Sequence, residues 1–231
     1  MAATTGDVTN CDLSGVNLSN MELLGMHFDG SRLDGANLSS ANLSGSSFVN
    51  CDLSGGNLGS SNFTGASFVK AVLEMADLTF STFVGADFSE AILREANFTN
   101  SKLSAAKFEK ADLTNANLQM TDAGMVRFGG AAMTKIHARG ASMIGADFSG
   151  CDLRGAKFHG TDLSNANLSA ADLREADIID AVLIASNLGN ADMRNVRLRR
   201  TDLTRADIAG LKYDEELKDI LARYSHAKFL D

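Results

Sequence analysis

The chain has no proline and no tryptophan, only two tyrosines, and three cysteines among 231 residues. Without proline, proline-rich linkers and a collagen-like chain are excluded. No apolar run approaches ~18 residues, which excludes an encoded transmembrane helix. The opening MAATTGDVTN is neither basic nor apolar and argues against a secretory signal. Bases are outnumbered, 21 Lys and Arg against 29 Asp and Glu, for a net charge of -8. An acidic chain is poorly suited to direct nucleic-acid binding, which relies on cations neutralising phosphates.

What is present is glycine, 21 residues, and a hydrophobic pattern of fixed period. From Val8 to Ile208 every fifth residue is apolar: the 41 positions hold 22 Leu, 11 Phe, 3 Met, 2 Ile, 2 Ala and 1 Val. Against a hydrophobic content of 45%, that run cannot be chance, and the register never slips. Two residues earlier stands a small residue, most often Ala, and the residue between them is Asp or Asn in 24 quintets. Fifteen glycines fall two residues after the large apolar position, where a corner favours positive φ. Cys11-Asp12-Leu13-Ser14-Gly15 shows the whole motif.

A period of five fits neither a helix nor a flat strand. It fits a chain that turns a corner every five residues, four quintets making one square coil. The large residue and the small one then point inward, and each coil pairs with its neighbours ~4.8 Å away. This pattern resembles the pentapeptide-repeat family, whose motif is written A(D/N)LXX. The resemblance spans residues 6–210 and implies an all-β fold, the right-handed quadrilateral parallel β-helix. About ten coils at that spacing give a solenoid roughly 48 Å long.

Residues 20 apart should stack in columns. Phe28, Phe48, Phe68, Phe88, Phe108, Phe128 and Phe148 share one column, read as an aromatic ladder in the core rather than a cofactor-stacking surface. Cys11, Cys51 and Cys151 share an inward column, the nearest two separated by two coils, beyond disulfide reach. Their spacing matches no zinc motif, and buried unpaired thiols point to a reducing, cytoplasmic compartment. In coil 121–140 Ala123 and Ala138 replace the large residue, and Val126 and Ile136 the small one. A local bend and a repacked straight coil both satisfy that exchange.

The division is a short tail at 1–5, the repeat at 6–210, and a C-terminal segment at 211–231. Leu217, Ile220, Leu221 and Tyr224 have the i, i+3, i+4, i+7 spacing of an amphipathic helix, with Asp214 placed to cap it. That helix is expected to close the last coil. In the topoisomerase-protecting branch of the family the C-terminal end forms the dimer contact, so these residues are cap or dimer contact. The other end presents an open apolar mouth, and homodimerisation through either end is compatible with the sequence.

No Walker loop, GxSxG or HExxH motif is present, and a loop-free convex tube offers no cleft, so the chain reads as a non-enzyme without cofactor or metal. His137 and His159 share a face on adjacent coils, but two histidines alone make a poor metal site. Residues 1–115 carry 13 acids and 6 bases, while 116–231 carry 16 and 15. Asp152, Asp172 and Asp192 run beside Arg154, Arg174 and Arg194, a charged face expected to neutralise itself across coils. Arg197, Arg199, Arg200 and Arg205 add a basic end. Ile179, Val182 and Ile184, with Ile144 on the Ile184 column, put apolar groups at outward positions, the mark of a partner site. The first functional reading is therefore a non-catalytic scaffold that holds an unidentified protein partner on a solenoid face. The resemblance supplies the alternative, an acidic DNA mimic that binds DNA gyrase and protects it from quinolones.

Overall fold

The computed structural model describes residues 6–223. They form a square parallel β-helix in which residue i bridges residue i+20, from Asp7 with His27 to Asp192 with Lys212. Only β1 (Asp177–Ile179) and β2 (Arg197–Arg199) form three-residue strands, paired in parallel; elsewhere each side contributes a single bridge. The expected right-handed quadrilateral helix is the fold of this chain. In coil 6–25, face 1 is residues 6–10, face 2 11–15, face 3 16–20 and face 4 21–25; the faces repeat every twentieth residue. Faces 2 and 4 are on opposite sides of the square.

Backbone hydrogen bonding explains the motif. The third residue of a quintet donates forward, Leu53 N–H to Val72 O at 2.7 Å, and so does the fifth, Gly55 N–H to Glu74 O at 2.8 Å. The second donates backward, Asp52 N–H to Ser31 O at 3.1 Å, and the next first-position amide closes the corner, Gly56 N–H to Leu53 O at 3.0 Å. The fourth N–H is left over, and an unpaired amide is costly. The Asp or Asn two residues earlier accepts it, as Asp52 Oδ1 does from Ser54 N–H at 3.0 Å. This turn is why those residue types recur. Asp122 and Asp177 are exceptions; Asp177 lies in the extended strand β1 and accepts from Arg197 instead.

Every fifth residue from 10 to 210 has φ between 50° and 70°, so all 41 corners are left-handed. Glycine occupies fifteen of them, those the sequence singled out; the other 26 carry side chains, eight of them asparagine, which tolerates this region best after glycine.

The large inward residues fill the tube, and from Leu33 to Phe158 each has no more than 1% of its surface exposed. The seven-membered Phe column stacks as expected, with neighbouring centroids 4.7–5.1 Å apart. Phe63 and Phe83 form a second stack on face 4, edge-on to the first. Polar small residues inside donate to a large residue's carbonyl: Ser81 Oγ reaches Leu58 O at 2.8 Å, and Cys151 Sγ reaches Phe128 O at 3.1 Å. In coil 121–140 the substituted residues are fully buried and the ladder continues without a slip. Only the rings register the change, Phe108 and Phe128 standing 23° apart where the preceding pairs differ by 3–6°.

The ends differ. Helix α1 (Glu215–Arg223) buries Leu217 and Leu221 in the core cluster, with Ile220 packed at its margin. Tyr224 lies outside the described residues. Asp214 does not cap α1 with its side chain as expected; its carboxylate accepts from the Asn195 N–H, an edge amide of the last coil. At the other end Val8, Leu13, Val16, Leu18, Leu23 and Met26 are only half-buried, and Cys11 is exposed. The expectation of three core thiols therefore holds for Cys51 and Cys151 but not for Cys11, whose coil the described residues cover from one side only.

Candidate functional site

Face 2 carries the paired charges. Arg154 grips Asp152 through Nε at 2.8 Å and Nη2 at 2.6 Å, and Arg174 with Asp172 and Arg194 with Asp192 repeat the geometry. The tight bonds are within a quintet; across coils the distances lengthen, Arg154 Nε to Asp172 at 3.8 Å and Arg174 Nε to Asp192 at 4.0 Å. The guanidinium bonds hold all three carboxyls below their usual range, Asp192 at about 2. Bidentate pairing leaves this face little net field. At the basic end Arg197 pairs with Asp177 at 3.0 Å and Arg200 with Asp180, leaving Arg199 and Arg205 without an ion pair among the described residues.

Face 4 is the opposite kind of surface. Its fourth-position column, Leu24, Ser44, Thr64, Val84, Ser104, Gly124, Ile144, Ser164, Ile184 and Thr204, contains no charge. Leu24, Val84, Ile144 and Ile184 are exposed there, Ile144 to 44%. The corners bounding the face add Phe80, Met120 and Met125, the last 74% exposed. Of the other exposed large apolar side chains described, Met75 lies on the corner between faces 2 and 3, and Met21 at an inward position of the first coil. Val182 and Ile179 are half-buried rather than exposed. Val182 bridges Asp162 and Asp202, whose side chains flank it, and Ile179 lies around the corner on face 3. There it lines a groove with Leu198, Leu217 and Ile220 beside α1. The four apolar residues singled out by sequence thus occupy two faces. The corner residues Phe80, Met120 and Met125 were legible as large apolar groups where glycine or asparagine is usual.

His137 and His159 do share a groove on face 3, together with Gln119, Arg139 and Lys157. Among the described residues no group of three His, Cys, Asp or Glu side chains is placed to hold a metal ion. No helix of the structure is long and apolar enough to cross a membrane.

The repeat geometry agrees with what known proteins show. A family model of pentapeptide repeats matches eight copies, over residues 11–48, 46–83, 81–119, 126–160, 151–188 and 176–210. The chain belongs to the pentapeptide-repeat family. Among solved pentapeptide-repeat structures, a trypsin-treated form of QnrB1, a plasmid-mediated fluoroquinolone resistance protein, is 21% identical, with a TM-score of 0.63 over 91% of this chain and 100% of that one. HetL, involved in heterocyst differentiation regulation in the cyanobacterium Nostoc sp. strain PCC 7120, is 26% identical over 88% of this chain and 89% of its own, at a TM-score of 0.48. At 21% identity the likeness to QnrB1 is one of fold. No curated protein matches the chain significantly.

Proposed function

We propose that this pentapeptide-repeat protein is a non-catalytic scaffold that holds a protein partner against face 4. The observation that carries the reading is the gathering of exposed apolar side chains on that face and its two corners, opposite a face of self-paired charges. Exposed apolar area on a soluble surface marks a partner site, and methionine adapts its shape to what it meets. The rigid backbone supplies a preorganised platform, so little ordering opposes binding. Unbonded thiols buried at Cys51 and Cys151 support a reducing compartment, the cytoplasm.

Affinity capture from the host cytosol tests this, using wild type, Ile144→Asp/Ile184→Asp on face 4 and Arg174→Gln on face 2. The face 4 variant is expected to lose the partners that Arg174→Gln retains. Identical partners for all three proteins overturn the reading.

A second reading is the acidic gyrase-binding mimic, and the charge of the N-terminal half supports it, 13 acids against 6 bases in residues 1–115. The C-terminal half is the weaker part of that case, because its carboxylates on face 2 are held by arginines. A gyrase supercoiling assay with and without ciprofloxacin decides it; neither inhibition nor protection at micromolar protein removes this reading.

A further inference from the structure

Face 3 changes character over two coils. Its second-position column runs Asn97, Asn117, His137, Lys157, Asp177, and its fourth-position column runs Thr99, Gln119, Arg139, His159, Ile179. His137 bridges Asn117 on one side and Lys157 on the other, so the two cationic rungs are neighbours ~4.8 Å apart. Gln119, His137, Arg139, Lys157 and His159 line a groove of about 200 Å³ in which no carboxylate takes part. The nearest carboxylate, Asp177 one coil on, is held by Arg197 at 3.0 Å, with His159 Nε2 3.6 Å from its other oxygen.

Two observations coincide in this groove. Among the described residues Arg139 and Lys157 have no ion pair, as Arg199 and Arg205 have none, but here two such cations stand on adjacent rungs and line one groove, whereas Arg154, Arg174, Arg194, Arg197 and Arg200 each hold an aspartate. Like charges on adjacent rungs repel, and here no internal partner relieves them. Burial, and then the Lys157 charge, push the His137 pKa below its usual value. The second observation concerns the backbone. Where the second residue of a quintet is Asp or Asn, its oxygen usually accepts the fourth-position N–H, as Asn117 Oδ1 does from Gln119 at 3.0 Å; where another residue stands there, as before Val69, Thr134 and Ile144, that N–H has no acceptor among the described residues. In the next two quintets of this face, one and two coils on, His137 and Lys157 stand where that residue would be. The N–H groups of Arg139 and His159 have no acceptor among the described residues.

We propose that this groove binds a phosphate group, whose oxygens take the place that Asp and Asn oxygens fill in neighbouring turns. Two unpaired cations match a dianion better than a single carboxylate, and several N–H donors match its three oxygens. The site lies on face 3 and is independent of the apolar face 4. The phosphate is either free or carried on a phosphorylated side chain.

Calorimetric titration of the full chain at pH 7 with inorganic phosphate, and separately with O-phosphoserine, tests the site against a chloride-matched blank. Saturable binding at one site is expected. Arg139→Gln/Lys157→Gln should weaken it roughly ten-fold or more, and Arg154→Gln on face 2 should leave it unchanged. Lys157→Asp supplies an acceptor from within, so it should abolish binding while the thermal midpoint holds or rises. Tighter binding of O-phosphoserine identifies a phosphorylated partner as the source, and equal binding identifies free phosphate. Absence of saturation with both probes, or wild-type affinity in the Arg139→Gln/Lys157→Gln protein, overturns the proposal.

Discussion

Cys11, Cys51 and Cys151 occupy the same position in the same face, yet their chemistry differs because a residue's surroundings here are set by the coils above and below it. Cys51 and Cys151 are buried, and desolvation pushes their thiols up to about 11 and about 12. Each spends its S–H on a phenylalanine carbonyl. Cys11 is exposed in the first coil. A thiol-disulfide reagent at pH 8 should therefore modify one thiol of three in the native protein, and the other two only in denaturant. Fast modification of two or more native thiols contradicts this. The sequence showed the shared column but treated all three as core, because a periodic pattern is blind to where stacking stops. Ile179 and Val182 illustrate the same limit: their outward position was legible, but their cover comes from side chains in adjacent coils.

At the scale of an element, the sequence-to-structure mapping is direct wherever one column has one job. The Phe column could be read by stepping twenty residues, because stacking demands the same ring on each coil. Phe88 has stacked rings on both sides, 4.7 Å from Phe68 and 4.8 Å from Phe108, and edge contacts with Phe83 and Phe98. Phe158 has one edge contact, with Phe148 at 6.3 Å. Both are fully buried, so transfer terms nearly cancel between them. With three more aromatic pairs at ~0.5–1.5 kcal/mol each, Phe88→Leu should cost about 1.5–4.5 kcal/mol more than Phe158→Leu. Denaturant midpoints measure it, and equal losses would show that the rings contribute by volume alone. The Asx turns were legible as composition but not as mechanism, since the orphaned fourth amide becomes evident only once the ladder is drawn. The groove on face 3 was half legible: the histidines were paired by column, but Arg139 and Lys157 were passed over as ordinary surface charge.

The arginine–aspartate ladder on face 2 adds a pH prediction at the same scale. Asp152, Asp172 and Asp192 have folded pKa values below their unfolded ones, first through the arginine bonds. Groups of that kind stabilise the fold only while ionised, so their contribution is complete above ~4 and is lost as pH falls toward about 2, the value for Asp192. Thermal midpoints should be level between pH 7 and ~5 and drop steeply below ~4. In a variant with Asp152, Asp172 and Asp192 all changed to Asn, the drop should be shallower; an unchanged acid limb would assign it to other carboxylates.

For the molecule as a whole, stability is local along the axis, because each coil touches only the next. Mid-tube coils are dry, while Val196, Leu198, Ile208 and Leu211 near the C-terminal end are 8–9% exposed even with α1 in place. Among the described residues the first coil is covered least, its apolar residues half-buried and its second-position amides without an acceptor. Hydrogen exchange should therefore be fastest at residues 6–25, slowest near 60–110 and intermediate at 193–212. Leu221 is the most deeply buried side chain of α1, at 1% exposed, so Leu221→Asp puts a charge against the last coil. That substitution should raise exchange at 193–212 by an order of magnitude or more and leave 60–110 unchanged. If the whole tube lost protection together, the coils would be one cooperative unit and α1 would act on all of them. If nothing changed, the helix would not hold the end of the tube, and the last coil would have to be stable on its own.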